Sequence, residues 1–422
     1  MPSVHQQSLS FDGDAFELFH AFKGRPQVFF LDSSLHRAQA RFSYIGFDPF
    51  TTVQGRDISK LKRAFDKYRM PARGLAFPAG AVGYFAYDGA FSFGFYDTIL
   101  AVDHQERRLI ISSFSKGRIK DVLKCLSSGP VLGAPHRPPD NQGTRFKSNF
   151  TKAGYMKAVR QALEHIRCGD IYQINLSHQI KAERPRGLGF PEPALIYKNL
   201  RRSFPSEFGA YLDGNGQVIL SASPERFLKL HKGIVQVKPM KGTRPRGKTK
   251  EQDRRLKEQL KKSPKEIAEL LMVTDLERND LGRVCAYASV KVAAMRTIET
   301  YASVFQATST IEGKLRKGCD QFDLLQAAFP SGSVTGCPKI EAMKIIRELE
   351  HGPRGLYTGA LGYLSFCGDM DLNVMIRTIY LKDKEIAFHV GGGIVADSNP
   401  QDEWQETWDK AKPLMEALKA SL

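Results

Sequence analysis

Patterns typical of strands and of helices follow one another along the chain in no fixed order. Apolar and polar residues alternate in Ile171–Ile180, as in a half-buried strand, whereas Lys152–Arg167 has helical spacing. The further strand candidates are Gln27–Leu31, Arg108–Ser113, Gln217–Ser221, Ile234–Val237, Gly359–Phe366 and Ile386–Val390, and the further helix candidates are Lys339–Glu350 and Asp402–Ser421. This mixed order predicts an α+β or α/β fold with large sheets.

One stretch divides the sequence into two parts. Ser128–Gly143 is rich in proline and glycine and has no periodic apolar pattern, which is typical of a linker. We therefore expect an N-terminal segment over residues 1–127, a linker over 128–147 and a C-terminal catalytic region over 148–422. A chain of 422 residues, 42% of them hydrophobic, is long enough to bury a large core.

Several classes of protein are disfavoured by what the sequence lacks. No apolar run approaches the ~20 residues that a membrane-spanning helix needs, and the N-terminus has no basic segment followed by an apolar one, as a secretory signal would. The six cysteines are scattered and form no CxxC pair, which argues against a zinc site or a disulfide framework. We expect a cytoplasmic protein that does not bind a membrane.

The formal net charge of +17 suggests an anionic partner. The basic residues cluster in Thr243–Lys265, but no aromatic residue for stacking on bases is interleaved with them. The cluster is better explained as a solvated loop and an exposed helix face, so we expect no nucleic-acid partner. A small anionic substrate would also be attracted by this charge.

Two segments carry paired glutamates at helical i,i+3 spacing, which places both carboxylates of a pair on one helix face. The four glutamates are Glu266 and Glu269, in SPKEIAELL, and Glu403 and Glu406, in QDEWQETWDKA. Four such carboxylates could bind a hard divalent cation. Spacing alone favours simpler explanations, namely a capping box formed by Ser263 and Glu266 and a solvated face paired with Lys410.

Two further motifs have a chemical and a structural interpretation. Lys241, in VKPMKGTRPRG, would be a nucleophile if desolvation lowered its pKa, although its position alone favours a surface lysine. The three glycines in Gly391–Ser398 would let an anion approach backbone N–H groups, but a tight strand–turn explains them equally well.

Taken together, these segments resemble the chorismate-utilising enzymes, a family that includes anthranilate and isochorismate synthases. The matching segments run in family order and are GDIYQINLS, SASPERF, KPMKGTRPRG, KEIAELLMVTDLERNDLGRV, FPSGSVTGCPKIEAMKII, RGLYTGALGY, LNVMIRT, GGGIVADS and QETWDKA. The resemblance implies an anthranilate-synthase-like α+β sandwich with two facing antiparallel sheets and helices outside, to which residues 1–127 add strands.

The resemblance also assigns roles to individual positions. It implies that Mg²⁺ is held by Glu266, Glu269, Glu403 and Glu406. It implies that chorismate is bound by Gln173, Tyr357, Arg377, Gly391, Gly393 and Lys410. Glu225 matches the general acid that protonates the departing C4 hydroxyl, with a salt bridge to Arg226 as the structural alternative. Thr243 matches a threonine near that hydroxyl.

Two positions indicate the branch of the family. The water-using branch has a lysine base where Gln173 stands, and an amide cannot deprotonate water. Anthranilate-producing members have alanine where Lys241 stands, whereas the branch that makes 4-amino-4-deoxychorismate has a lysine that attacks C2 of the ring. The resemblance therefore implies a Mg²⁺-dependent transferase that combines chorismate with ammonia from a glutamine amidotransferase subunit, for 4-aminobenzoate and folate synthesis. Anthranilate synthesis is the alternative.

Three features depart from the family pattern or leave a question open. Gln306 stands where most relatives have a histidine, and Glu341 stands where an arginine is usual. Ser33 and Ser34 resemble the site where relatives bind tryptophan, for which we expect at most a structural ligand here.

Overall fold

The computed structural model describes residues 3–35, 40–71, 74–75, 77–127, 145–183, 192–301 and 304–419. The strands of these residues are β1 (His5–Ser10), β2 (Phe29–Asp32), β3 (Phe42–Gly46), β4 (Thr51–Gly55), β5 (Gly80–Phe85), β6 (Phe91–Tyr96), β7 (Thr98–Asp103), β8 (Arg108–Ser113), β9 (Lys147–Ser148), β10 (Gln173–Glu183), β11 (Phe208–Gly214), β12 (Gln217–Ser223), β13 (Arg226–His231), β14 (Ile234–Val237), β15 (Met240–Pro245), β16 (Lys291–Thr300), β17 (Val304–Lys314), β18 (Gly336–Cys337), β19 (Ala360–Ser365), β20 (Met370–Val374), β21 (Thr378–Lys382) and β22 (Glu385–Ile394). The helices are α1 (Ala15–His20), α2 (Ile58–Asp66), α3 (Lys116–Ser127), α4 (Lys152–Arg167), α5 (Pro193–Ser203), α6 (Lys250–Lys262), α7 (Pro264–Gly282), α8 (Gln321–Ala328), α9 (Lys339–Leu349) and α10 (Pro400–Lys419), with a 3-10 turn at Gly332–Val334.

The strands form two antiparallel sheets. The larger sheet has the order β1-β8-β7-β3-β2-β11-β12-β21-β22-β10-β18, with β9 paired to β10. The smaller sheet has the order β15-β17-β14-β13-β20-β19-β5-β6-β4, with β16 paired to β17. Strands from before and after the proline-rich stretch are neighbours in both sheets, since β2 pairs with β11 and β5 pairs with β19. Most of the predicted linker, residues 128–144, lies outside the described residues, and Lys147 belongs to β9.

The two sheets face each other across an aromatic layer. Tyr44 of the larger sheet contacts Tyr363 of the smaller sheet, with ring centroids 5.5 Å apart, and Phe77 stacks on Tyr363 at 4.3 Å. Apolar clusters on the outer faces of the sheets are covered by helices, among them α1, α5 and α10 on the larger sheet and α2 and α8 on the smaller one. Burying both faces of each sheet removes a large apolar area from water. The predicted sandwich with external helices is confirmed.

Local sequence explains where the helix that bears the first glutamate pair begins. The Ser263 side chain accepts a hydrogen bond from the Glu266 backbone N–H at 3.5 Å, and Pro264 occupies the first helical position. The Glu266 side chain does not complete a capping box, because it pairs with Arg244 instead. No helix in the described part of the chain is long and apolar enough to cross a membrane.

Candidate active site

Three consecutive glycines in β22 lie beside the predicted nucleophile. Gly391, Gly392 and Gly393 pair with Ser177, Leu176 and Asn175 of β10, so they form part of a strand and not a tight turn. A Cβ atom on Gly393 would lie 2.6 Å from Gln173 Nε2 and 3.4 Å from Lys241 Nζ. Glycine is therefore required for these two side chains to share one space above the sheet.

Lys241 is not a freely solvated surface lysine. Its side chain is withdrawn from water, and desolvation lowers the pKa of its ammonium, an effect that the carboxylates of Glu269 and Glu225 oppose. A lowered pKa increases the fraction of neutral amine near neutral pH, and the neutral amine is the nucleophilic form.

Glu225 lies in the turn between β12 and β13 and is 5% exposed. Desolvation raises the pKa of its carboxyl to about 7, although the charge of Lys241 and the ability of the Ser333 hydroxyl to donate to the carboxylate once it is ionised act in the opposite direction. The alternative partner, Arg226, pairs with Asp371 at 3.0 Å. Glu225 is therefore a buried carboxyl that can hold a proton near neutral pH and lies close enough to interact with Lys241.

The two glutamate pairs approach the same glycine strand from helices α7 and α10. A Cβ atom on Gly392 would lie 3.1 Å from Glu403 Oε2 and 3.8 Å from Glu406 Oε1. Desolvation raises the pKa of Glu269, and the charge of Glu406 raises it further. Desolvation also acts on Glu406, but the nearby Lys410 ammonium outweighs it and lowers the pKa of that carboxyl.

Three of the four glutamates are engaged by other groups. Glu266 pairs with Arg244 at 2.6 Å, Glu403 accepts a hydrogen bond from the Ser398 hydroxyl at 2.7 Å, and Glu406 pairs with Lys410 at 2.6 Å. In the described part of the chain, these carboxylates do not converge as a group of three or more at metal-binding distance. Glu266 Oε2 is buried without a described hydrogen-bond partner, so it remains an open oxygen donor. The donor set suits Mg²⁺ in kind, but holding the ion would require these side chains to reorient.

Of the remaining predicted substrate ligands, Lys410 and Tyr357 lie next to this strand. Lys410 Nζ donates a hydrogen bond to the Gly391 carbonyl at 2.9 Å, and Tyr357 lies within hydrogen-bonding reach of Asn175, the residue opposite Gly393. Arg377 immediately precedes β21, with its guanidinium over the Phe204 ring at 4.7 Å. Desolvation lowers its pKa to about 10. No described contact joins the Arg377 side chain to Lys241 or to the four glutamates.

The departures from the family pattern have distinct locations. Gln306 is buried in β17 and lies opposite Thr243 of β15, a predicted catalytic residue that matches the family pattern and is exposed. Glu341 lies on the surface of α9 and pairs with Lys344 at 2.7 Å. The charge at position 341 is therefore outside the glycine-strand site.

Ser33 lines a cavity of about 660 Å³ that is separate from Lys241. Its hydroxyl donates a hydrogen bond to the Phe42 carbonyl at 2.8 Å, and Ser34 donates one to the Ser206 carbonyl at 3.0 Å. The bond from Ser34 joins the N-terminal strands to the C-terminal region, so this serine has a structural role of its own.

Sequence reasoning missed a buried polar group behind Glu225. Glu277, Ser331 and Ser333 are each less than 10% exposed and are hydrogen-bonded to one another. They belong to the segments LERNDLGRV and FPSGSVTG, which supported the family resemblance but received no role. A buried glutamate on the inner face of a helix was the available signal, because such a group needs a partner.

Comparison with known proteins gives consistent matches. The profile of a family described as chorismate binding enzyme matches residues 31–416. Anthranilate synthase component 1 of Aquifex aeolicus is 43% identical over 306 residues, which cover 72% of this chain and only 60% of that relative. Aminodeoxychorismate synthase component 1 of Bacillus subtilis is 34% identical and 90% of each chain is covered. The crystal structure of anthranilate synthase component I from Streptococcus pneumoniae is 30% identical, with a TM-score of 0.79 and coverage of 90% of this chain and 93% of that one.

Proposed function

The chain belongs to the family of chorismate-binding enzymes, and on that premise we propose that it converts chorismate and ammonia to 4-amino-4-deoxychorismate. The observation that carries this proposal is the position of Lys241, whose Nζ lies 3.4 Å from where a Gly393 Cβ would be. Desolvation lowers the pKa of this amine inside a site that also contains a buried carboxyl. A nucleophile and an acid are thus available together.

The proposed reaction exchanges the C4 hydroxyl for an amino group in two steps. Nζ of Lys241 bonds to C2, both conjugated ring double bonds shift by one position, and the C4–O bond breaks as Glu225 gives its proton to the departing hydroxyl, which leaves as water. Ammonia then bonds to C4, both double bonds shift back, and the C2–Nζ bond breaks to return the lysine amine. The proton lost by ammonia restores the Glu225 carboxyl, and the enolpyruvyl group is retained.

Chorismate is a dianion, and the site offers cationic and N–H groups to bind it. We assign its carboxylates to Arg377, Tyr357, Lys410 and the glycine strand. Arg377 supports this role because it forms no ion pair among the described residues and can offer two parallel N–H bonds. Gln173 supports ammonia as the nucleophile, since its amide cannot deprotonate water.

We propose that Mg²⁺ would be held by Glu266, Glu269, Glu403 and Glu406 together with substrate oxygens. When bound, the ion would neutralise a substrate carboxylate next to these acidic side chains. The Lys410 ammonium, which pairs with Glu406 at 2.6 Å, would share that anion.

We propose that ammonia is supplied by a glutamine amidotransferase subunit. Relatives named component 1, such as the Bacillus subtilis protein, support a partner of some kind, because the name denotes one part of an assembly.

Anthranilate synthesis is the second candidate. The 43% identity to the Aquifex aeolicus protein favours it. It would require amination at C2 and loss of pyruvate, and a lysine held beside C2 would obstruct that attack. Both candidates need Glu225 to protonate the leaving hydroxyl.

The deciding experiment is product identification by mass spectrometry after incubating the full chain with chorismate, Mg²⁺ and ammonium. We expect 4-amino-4-deoxychorismate from the wild type and none from Lys241→Ala. If the wild type instead forms anthranilate and an equal amount of pyruvate, the first candidate is wrong and the protein is an anthranilate synthase.

A further inference from the structure

A continuous line of hydrogen bonds runs from the Glu225 carboxyl into the protein. The Ser333 hydroxyl is the hydrogen-bonding neighbour of the Glu225 carboxyl. Ser333 Oγ lies 3.0 Å from Ser331 Oγ, and the Ser331 hydroxyl lies 3.0 Å from Glu277 Oε1. Two carboxyls are thus joined through two hydroxyls, which we call the Glu225–Glu277 chain.

The Glu225–Glu277 chain is buried away from water and closely packed. Its four members are between 2% and 6% exposed. Gly332 allows the close approach, because a Cβ atom there would lie 2.5 Å from Leu276 Cδ2 and 3.3 Å from Glu277 Oε1. The Gly332 N–H also donates to Glu277 Oε1 at 2.9 Å. Such buried networks are sensitive to every member, because an unsatisfied polar group there is costly.

Only one of the two carboxyls, Glu225 or Glu277, can be ionised while all the hydrogen bonds between them are made. Each serine has one hydroxyl hydrogen to donate. If Ser331 donates to Glu277, Ser331 must accept from Ser333, and Ser333 must then accept from a protonated Glu225. If Glu225 is the carboxylate, every bond reverses and Glu277 must be protonated.

The surroundings place the negative charge on Glu277. Its Oε1 already accepts the Gly332 N–H, and the Lys339 ammonium lowers its pKa, although desolvation has the larger, opposite effect. The Ser331 hydroxyl donates to the same oxygen, so Oε1 accepts two hydrogen bonds, and hydrogen bonds to a carboxylate favour its ionised form. The proton therefore resides at the Glu225 end.

We propose that Glu277, acting through Ser331 and Ser333, is a positioning residue that keeps Glu225 protonated and aimed at the departing hydroxyl. This inference rests on the proposed function only in needing Glu225 as the proton donor. When Glu225 gives up its proton, Ser333 loses its donor, and the bond between the two serines can no longer be made together with both carboxylate contacts. The chain is completed again only when Glu225 regains a proton from the incoming ammonia.

The other charged groups around the chain are few. Lys241 of β15 faces Glu225, and the Met240 backbone N–H lies within its hydrogen-bonding reach. Asp280 of α7 and Lys339 of α9 face Glu277, and these two form an ion pair that Arg283 joins at 2.7 Å. The charge of Glu277 raises the pKa of Glu225.

The test is the pH dependence of chorismate consumption by the full chain, with Mg²⁺ present and free ammonia held constant. Glu277→Gln removes the negative charge of the Glu277 carboxylate. Ser331→Ala interrupts the Glu225–Glu277 chain of hydrogen bonds and leaves both carboxyl groups in place. We expect both variants to lower kcat about tenfold and to leave KM for chorismate within about twofold. The alkaline limb of the pH dependence of kcat, where Glu225 loses its proton, should move about one pH unit lower.

Thr335→Val is the matched control. The Thr335 hydroxyl donates to the Ser331 carbonyl at 3.0 Å, so it supports the same turn without belonging to the chain. We expect no displacement of the limb in this variant. An unmoved limb in Ser331→Ala, or an equal displacement in Thr335→Val, would overturn the proposal. Because consumption is measured, the product assignment fails or succeeds separately.

Discussion

Gln173 and Lys241 face each other across Gly393. A Cβ atom on that glycine would lie 2.6 Å from Gln173 Nε2 and 3.4 Å from Lys241 Nζ. In the proposed reaction, Gln173 favours ammonia over water as the nucleophile and Lys241 attacks the substrate ring. The space over Gly393 is therefore where that reaction would occur.

Gly393→Ala tests this relationship. The added methyl must displace the Gln173 amide and restrict Lys241, so we expect kcat/KM for amination to fall at least about tenfold with little change in Tm, because a misplaced reactive group costs rate more than stability. Gly24→Ala is the control, since no atom lies within 4 Å of where its Cβ would be. Equal activity in the two variants would mean that the reaction occurs elsewhere.

Glu225 predicts a pH dependence of both rate and stability. Its raised pKa of about 7 means that the ionised form is disfavoured in the folded protein, so the carboxyl reduces stability increasingly as pH rises through that value. We expect Glu225→Gln to stabilise the protein at pH 9 relative to pH 5 by up to about 3 kcal/mol, measured by urea unfolding, and to abolish amination. Glu341→Gln, at a half-exposed position on α9, should show no such pH-dependent gain.

The Arg244 guanidinium would compete with a bound cation for Glu266. Their 2.6 Å ion pair occupies Glu266 Oε1, so it must open before Glu266 can offer both carboxylate oxygens to a metal ion. Arg244→Ala should therefore tighten Mg²⁺ binding several-fold in calorimetry without substrate, whereas Glu269→Gln should weaken it. Arg278→Ala, which removes an exposed intrahelical pair with Asp275, is the control. Unchanged Mg²⁺ affinity in both test variants would remove the four glutamates as the metal site.

Local patterns predicted much of the fold. The bounds expected for Arg108–Ser113, Lys152–Arg167 and Ile234–Val237 are those of β8, α4 and β14, respectively, because the apolar pattern of each segment matches the element that it forms. The sandwich itself followed from the family resemblance, since pairing such as β2 with β11 joins residues far apart in sequence.

The site was predictable only in part. Motif order pointed to Lys241, Glu225 and the glutamate pairs, whose roles remain predictions. The ion pair between Arg244 and Glu266 depends on tertiary packing that no spacing rule encodes. The Glu225–Glu277 chain likewise joins residues from three separate segments, and only the folded geometry brings their hydrogen-bonding groups together.

The most direct test of the central claim is the mass of the intact chain after incubation with chorismate and Mg²⁺ in the absence of ammonia, followed by peptide mapping. We predict an adduct equal to chorismate less one water on Lys241, absent in Lys241→Arg and discharged by ammonium as 4-amino-4-deoxychorismate. Turnover to that product with no adduct at Lys241 under any trapping condition, or undiminished turnover by Lys241→Arg, would contradict the account.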